Sequence, residues 1–188
     1  MKILAAIAIL VLALPVLAES YIGLFADEYG DRCWANIEPF VEVRIHILVF
    51  LDSGDLSGGL TAAEFRLENW PGDPGYPLGD TSIEWSSDLV LGQIDENLTI
   101  AFSSPQPGPV VKLAGITLQM YSNDWMEEGY RILVDEGLED GLCAVVNDMF
   151  EIFDATGMQF TFNCDPPCSC RPGYNPADSN WSEVKNLY

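Results

Sequence analysis

An all-β antiparallel sandwich of two layers is the fold this sequence predicts, and three observations predict it. Val41, Val43, Ile45, Ile47, Val49 and Leu51 occupy every second position, so an extended chain places them all on one face. Short apolar runs recur along the rest of the chain, separated by Pro, Gly, Asn and Asp turn signals. No long amphipathic helical stretch lies between them.

Residues 1–18, MKILAAIAILVLALPVLA, read as a secretory signal. Lys2 supplies the positive start, an apolar run follows, Pro15 breaks it, and small residues precede Glu19. The run is too short and wrongly flanked for a membrane span, and no second one follows. An exported mature chain without a span is therefore expected, with residues 19–170 as its sandwich domain.

Within that domain, residues 21–25 (YIGLF) suggest a first edge strand and 27–31 a loop leading to Cys33. The strand at 41–51 has a second face that starts polar with Glu42, Arg44 and His46 and ends apolar with Leu48 and Phe50. Such a strand begins half exposed and finishes covered on both sides. After an acidic, Gly-rich loop at 52–59, residues 63–68 alternate again with Phe65 and Leu67 inward. The run 70–77 (WPGDPGYP) is too interrupted for a strand and reads as a surface loop. Further strands are expected at 82–85, 97–102, 110–120 and 130–134, with a turn at 103–109 and a bulge at Gly115. A closing hairpin pairs 143–153 with 158–163 around a turn at 154–157. Residues 171–180 are a polar, Pro-rich linker. Beyond it, Asn180 and Glu183 have capping-box spacing, and Trp181, Val184, Leu187 and Tyr188 line one side of a short C-terminal helix. So short a helix needs something to pack on, its own sandwich or a docking partner.

Charge excludes whole classes of partner. With 29 acidic against 8 basic residues and a net charge of −21, the chain lacks the cations that nucleic acid or an anionic membrane requires. The acids are scattered, as on a solvated exterior. All five cysteines, Cys33, Cys143, Cys164, Cys168 and Cys170, fall in the exported part, where disulfides with one thiol left over are expected. The predicted closing hairpin sets Cys143 across from Cys164 or Cys168 and leaves Cys33 to another of the C-terminal group. A zinc site in CDPPCSC lacks a fourth ligand.

Three constellations carry chemistry on paper. Laid on a calcium-binding EF-hand loop, residues 53–64 place Asp55 at position 3, Ser57 at 5, Gly58 at 6 and Glu64 at 12. Position 1 is Ser53, beside Asp52, and the entering segment alternates as a strand where an EF-hand has a helix. The two readings are an acidic hairpin loop and a calcium site on a sandwich loop built from Asp52, Asp55 and Glu64. No other cofactor is implied. Next, a glycosidase needs two carboxylates, and Glu64, Glu68, Glu84 and Asp88 are available. Finally, Trp70, Tyr76, Trp85 and Trp125 are ring platforms for a polysaccharide if they face solvent, and lids on the sandwich ends if they do not. The single histidine, His46, rules out multi-histidine metal sites and reads as a packed or surface residue of its strand.

The signal segment, the early Cys33, the long apolar strand, GGLTAAEFRLENWPG, NLTIAF, a closing strand ending in Asn163-Cys164 and the tail at 181–188 together resemble a group of exported bacterial β-sandwich proteins of unassigned function. Many of those proteins end in Trp-x-x-(Ile/Val)-Lys-x-(Leu/Met)-Tyr, like residues 181–188 here. The resemblance implies an immunoglobulin-like or cohesin-like fold and carries no catalytic residue. The expected function is a non-catalytic secreted or cell-surface module that meets other surface proteins, polysaccharide or a copy of itself.

Overall fold

A computed structural model describes residues 20–51, 54, 56–70, 80–122, 129–138, 141–164 and 168–170. The signal segment, linker and C-terminal tail with Trp181, Val184, Leu187 and Tyr188 lie outside the described residues, as do Asp52, Asp55, Tyr76 and Trp125.

The described chain is all-β, with twelve strands: β1 (Ser20–Phe25), β2 (Trp34–Ala35), β3 (Glu42–Phe50), β4 (Leu60–Glu68), β5 (Asp80–Trp85), β6 (Leu89–Gln93), β7 (Asn97–Gln106), β8 (Val110–Gln119), β9 (Tyr130–Asp135), β10 (Ala144–Asn147), β11 (Ile152–Gly157) and β12 (Gln159–Phe162). One layer runs β1–β3–β8–β5 and the other β6–β7–β4, with β10 and β9 following one another along the far edge of β4. The strands β11 and β12 join the layers. The first pairs with β10 and β1, the second with β9 and β2. A continuous ladder therefore curls around one core, where the expectation was two separate sheets.

The long alternating strand behaves as its pattern requires. In β3, Val43, Ile45, Ile47 and Val49 are buried, Glu42 and Arg44 are exposed, and from His46 to Val49 both faces are covered. Its partners β1 and β8 flank it over most of its length. Phe25, Phe65, Phe160 and Phe162 fill the space between the layers, each at most 1% exposed. Burying side chains of this size is worth roughly 1.5–3 kcal/mol apiece.

Several expectations are corrected. The sheet is mixed, because β1–β11 and β2–β12 pair in parallel. Strand β1 is internal, not an edge. β3 and β4 do not form a hairpin: they lie in different layers, and Leu56, between them in sequence, is buried at 3% exposure. The bulge in β8 falls at Leu113, where Ile47 pairs with Ala114 and Leu48 with Lys112. Gly115 pairs regularly with His46, and a Cβ there would press on the Arg44 guanidinium at 3.3 Å. Strand β6, exposed nearly throughout, is an addition to the strands the pattern predicts.

The closing hairpin also moves. Residues 154–157 are strand, not turn, and the turn falls at 148–151 between β10 and β11. That shift rewrites the disulfides. Cys33 pairs with Cys170, Cys164 with Cys168, and Cys143 is free and buried. Cys143 opposes neither cysteine because its strand turns back before the chain reaches them. The Cys33–Cys170 bridge closes a separation of 137 residues and ties β2 to the end of the described chain. On loop-closure grounds, Cys33→Ser with Cys170→Ser should cost about 5 kcal/mol in urea unfolding, against about 2 kcal/mol for Cys164→Ser with Cys168→Ser, whose separation is 4. Equal losses would show that the long bridge does not constrain the unfolded chain.

Candidate functional site

The outward face of the β6–β7–β4–β10–β11 layer is assembled by register. Directly opposed residues of an antiparallel ladder share a face. Leu89 opposes Ala101, Ala101 opposes Ala62, Ala62 opposes Val146, and Val146 opposes Ile152. An unbroken apolar row thus crosses five strands, about 19 Å at the usual strand spacing. The alternate row, Val90, Ile100, Ala63, Val145 and Phe153, points inward, and Ile100, Ala63 and Val145 are fully buried. The outward row ends in exposed side chains, Leu89 at 51% and Ile152 at 65%. The next outward row is Leu91, Thr99, Glu64, Ala144 and Asp154.

At the Ile152 end, a built turn extends the row. Asn147 is fully buried, and its Oδ1 accepts the backbone N–H groups of Met149 and Glu151, each at 2.9 Å. Its Nδ2 donates to Glu151 Oε2 at 3.0 Å, and its carbonyl accepts from the Thr61 hydroxyl at 2.7 Å. Gly58 gives the turn room, because a Cβ there would meet the Asp148 carboxylate at 2.2 Å. The turn presents Met149 and Phe150 to solvent at 66% and 80% exposure. Phe150 sits at φ 64, a left-handed conformation that costs an L-residue about 1–2 kcal/mol. Among the described residues no burial of the Phe150 ring offsets that cost, and the turn bonded to Asn147 imposes the conformation.

The sequence-predicted residues are dispersed. Glu64 lies mid-strand on the outward face, where its Oε1 accepts from Asn97 Nδ2 at 2.9 Å. Among the described residues no cluster of three or more His, Cys, Asp or Glu side chains could hold a metal ion. Glu64 and Glu68 are four residues apart on one strand, about 13 Å, beyond the separation of glycosidase carboxylates. Glu84 is in the other layer, paired with Arg44 at 3.1 Å, and Asp88 lies on the link between layers. Trp70 is a core side chain at 7% exposure, which corrects its reading as a solvent-facing platform, and Trp85 packs partly buried against the core. Depressions beside β6 and β4 are shallow, about 250 Å³ each. Burial, reinforced by Asp135, Glu136 and Asp154, pushes the Cys143 thiol up to about 12, so it is no nucleophile.

Pattern reading missed the apolar row and the Asn147 turn. Each strand gives the row one residue, and two of the five are Ala, so no linear window shows it. The turn left one trace, the Asn-Asp pair at 147–148.

No family model matches the chain, and no curated protein does. Among solved structures it is similar to a cohesin module of a family 33 glycoside hydrolase from Clostridium perfringens, 10% identical, over 78% of this chain and 98% of that module, with a TM-score of 0.49. It is also similar to a type III cohesin module from the cell-surface anchoring scaffoldin ScaE of Ruminococcus flavefaciens, 9% identical, over 78% and 88%, with a TM-score of 0.39. At these scores neither likeness carries a functional argument.

Two outcomes follow from the geometry. Asn147→Ala strips two backbone donors of their acceptor and should cost about 2–3 kcal/mol in urea unfolding, with faster amide exchange at Met149 and Glu151. His46 is 5% exposed with Nδ1 unpartnered, and its pKa is lowered from 6.5 by burial, then by Lys112 and Arg44, against the opposing pull of Glu28 and Asp27. The unfolded chain then binds a proton more readily, so stability is full above 6.5 and falls as pH drops through the folded value. Melting curves above the carboxylate range should show this slope, and His46→Leu should remove it.

Proposed function

We propose that this chain is a non-catalytic interaction module, secreted or displayed at a cell surface, on an immunoglobulin-like or cohesin-like sandwich. It docks a protein partner on the outward β6–β7–β4–β10–β11 face. The observation that carries this reading is Phe150, exposed and strained on a turn pinned by a fully buried asparagine at the end of an apolar row. Exposed large side chains, aromatic ones above all, on a hydrogen-bonded turn are the kind of group that anchors interfaces. The signal-like leader and the two disulfides support an oxidising compartment. β6, β7, β10 and β11 contain no Lys or Arg, while Glu64, Glu151 and Asp154 lie on or beside the row, so the fitting partner is basic. The residues 181–188 form a separate docking element in this reading.

A photo-reactive benzoylphenylalanine at position 150, compared with one at the distant, exposed Tyr29, tests the face in the producing cell. A protein adduct should form at 150 and not at 29. With that partner purified, Phe150→Gly should weaken binding by about thirtyfold or more while leaving stability unchanged or raised, since glycine accepts φ 64 freely. No adduct at 150, or unchanged affinity, would remove the proposal.

A further inference from the structure

We infer that β6 receives its partner by strand addition: an extended basic–apolar segment pairs with the open edge of β6 and prolongs the apolar row by one strand. The inference rests on the reading of this face as a docking surface.

β6 pairs with β7 from Leu89 to Gln93, and among the described residues no strand pairs with its other edge. Exposed edges invite pairing, and proteins usually blunt them with charges, proline or shortness. The other outer edges are blunted. β5 carries Asp80 and Glu84, the latter bridged to Arg44, and β2 is two residues long. β6 reads Leu-Val-Leu-Gly-Gln, with neither charge nor proline.

The edge is also held as a rigid template, which lowers the ordering cost of binding. At its start, the Ser87 hydroxyl donates to the Ala101 carbonyl and accepts the Leu89 N–H at 3.1 Å. At its end, Gly92 takes φ 86 where a Cβ would lie 1.8 Å from the Asn97 carbonyl oxygen. The turn beyond is anchored twice, Ile94 O accepting from Leu67 N–H at 2.7 Å and Glu96 O from Leu138 N–H at 3.0 Å.

Side chains and charge then select the occupant. Leu89 and Leu91, 51% and 57% exposed, present alternate apolar positions that an added strand would meet with its own. Asp88 precedes the strand, Asp95 and Glu96 follow it, and residues 80–111 contain no Lys or Arg. A segment with Lys or Arg between its apolar residues is attracted. A second copy of this chain, at net charge −21, is repelled.

The test uses the full chain and a synthetic peptide, Lys-Val-Thr-Val-Lys-Val-Lys, beside the same peptide N-methylated at every peptide bond. The two share charge and side chains, and only the first can donate along a ladder. The expected result is binding of the first, at least about tenfold weaker binding of the second, and slower exchange of the amides of residues 89–93. Leu91→Lys should abolish binding without lowering the melting temperature. Equal binding of both peptides, binding of neither at about 1 mM, or protection on β5 overturns the inference. So does a concentration-dependent dimer that protects β6 with no peptide present. In each of these cases an adduct at position 150 would leave the docking face standing, whereas loss of that adduct would count against the face itself.

Discussion

The two layers of this protein depend on one crossing point. Chain 152–162 serves the β10 and β1 ladders first and the β9 and β2 ladders afterwards, and the switch falls at Gly157 and Met158. Met158 N–H donates to Ile22 O at 2.9 Å, and Met158 O accepts from Val134 N–H at 2.9 Å, so one residue links β1 to β9. A Cβ on Gly157 would stand 1.9 Å from the Val134 carbonyl oxygen. Only a residue without a side chain lets the strands approach so closely. Everything on the outer face inherits its register from this corner, because β11 begins the sequence of pairings that aligns Ile152 with Val146 and, four strands on, with Leu89.

That corner explains what was legible in the sequence. β3 could be read because a buried strand imposes its period on its own residues. β4, β7, β8 and β9 were readable on the same ground. Residues 154–157, Asp-Ala-Thr-Gly, have turn composition, yet they form strand because β1 lies alongside in parallel, and no local pattern announces a partner more than a hundred residues away. The misplaced turn carried the Cys143 pairing with it. β6 stayed hidden for another reason. Its pattern is exposed nearly throughout, so the inward–outward contrast that marks a half-buried strand is almost absent.

The candidate site was less legible than the fold, and the cause is geometric. Ala62, Ala101 and Val146 look unremarkable in sequence and acquire meaning only as neighbours. Acidic residues drew attention instead, being plentiful, but abundance is weak evidence when a soluble exterior needs charge anyway. Asn147 shows the opposite case. One buried amide sets the shape of a turn and the direction of two large apolar side chains, and a single Asn carries no periodicity by which to find it.

An exposed apolar row would ordinarily invite self-association. Here the charge distribution opposes it. Every copy carries a strongly negative field, and of the five described cations Arg44, Arg66 and Lys112 are engaged with Glu84, Asp135 and Glu28, Arg32 lies over the Trp34 ring, and Arg131 is exposed on β9. Two such chains meeting face to face bring acid against acid, whereas a basic partner meets attraction at the rim and apolar contact at the centre. On the docking reading, the same acidity lets the chain keep an unprotected edge and an apolar face exposed. A specificity made this way is a repulsion against the wrong partner as much as an affinity for the right one.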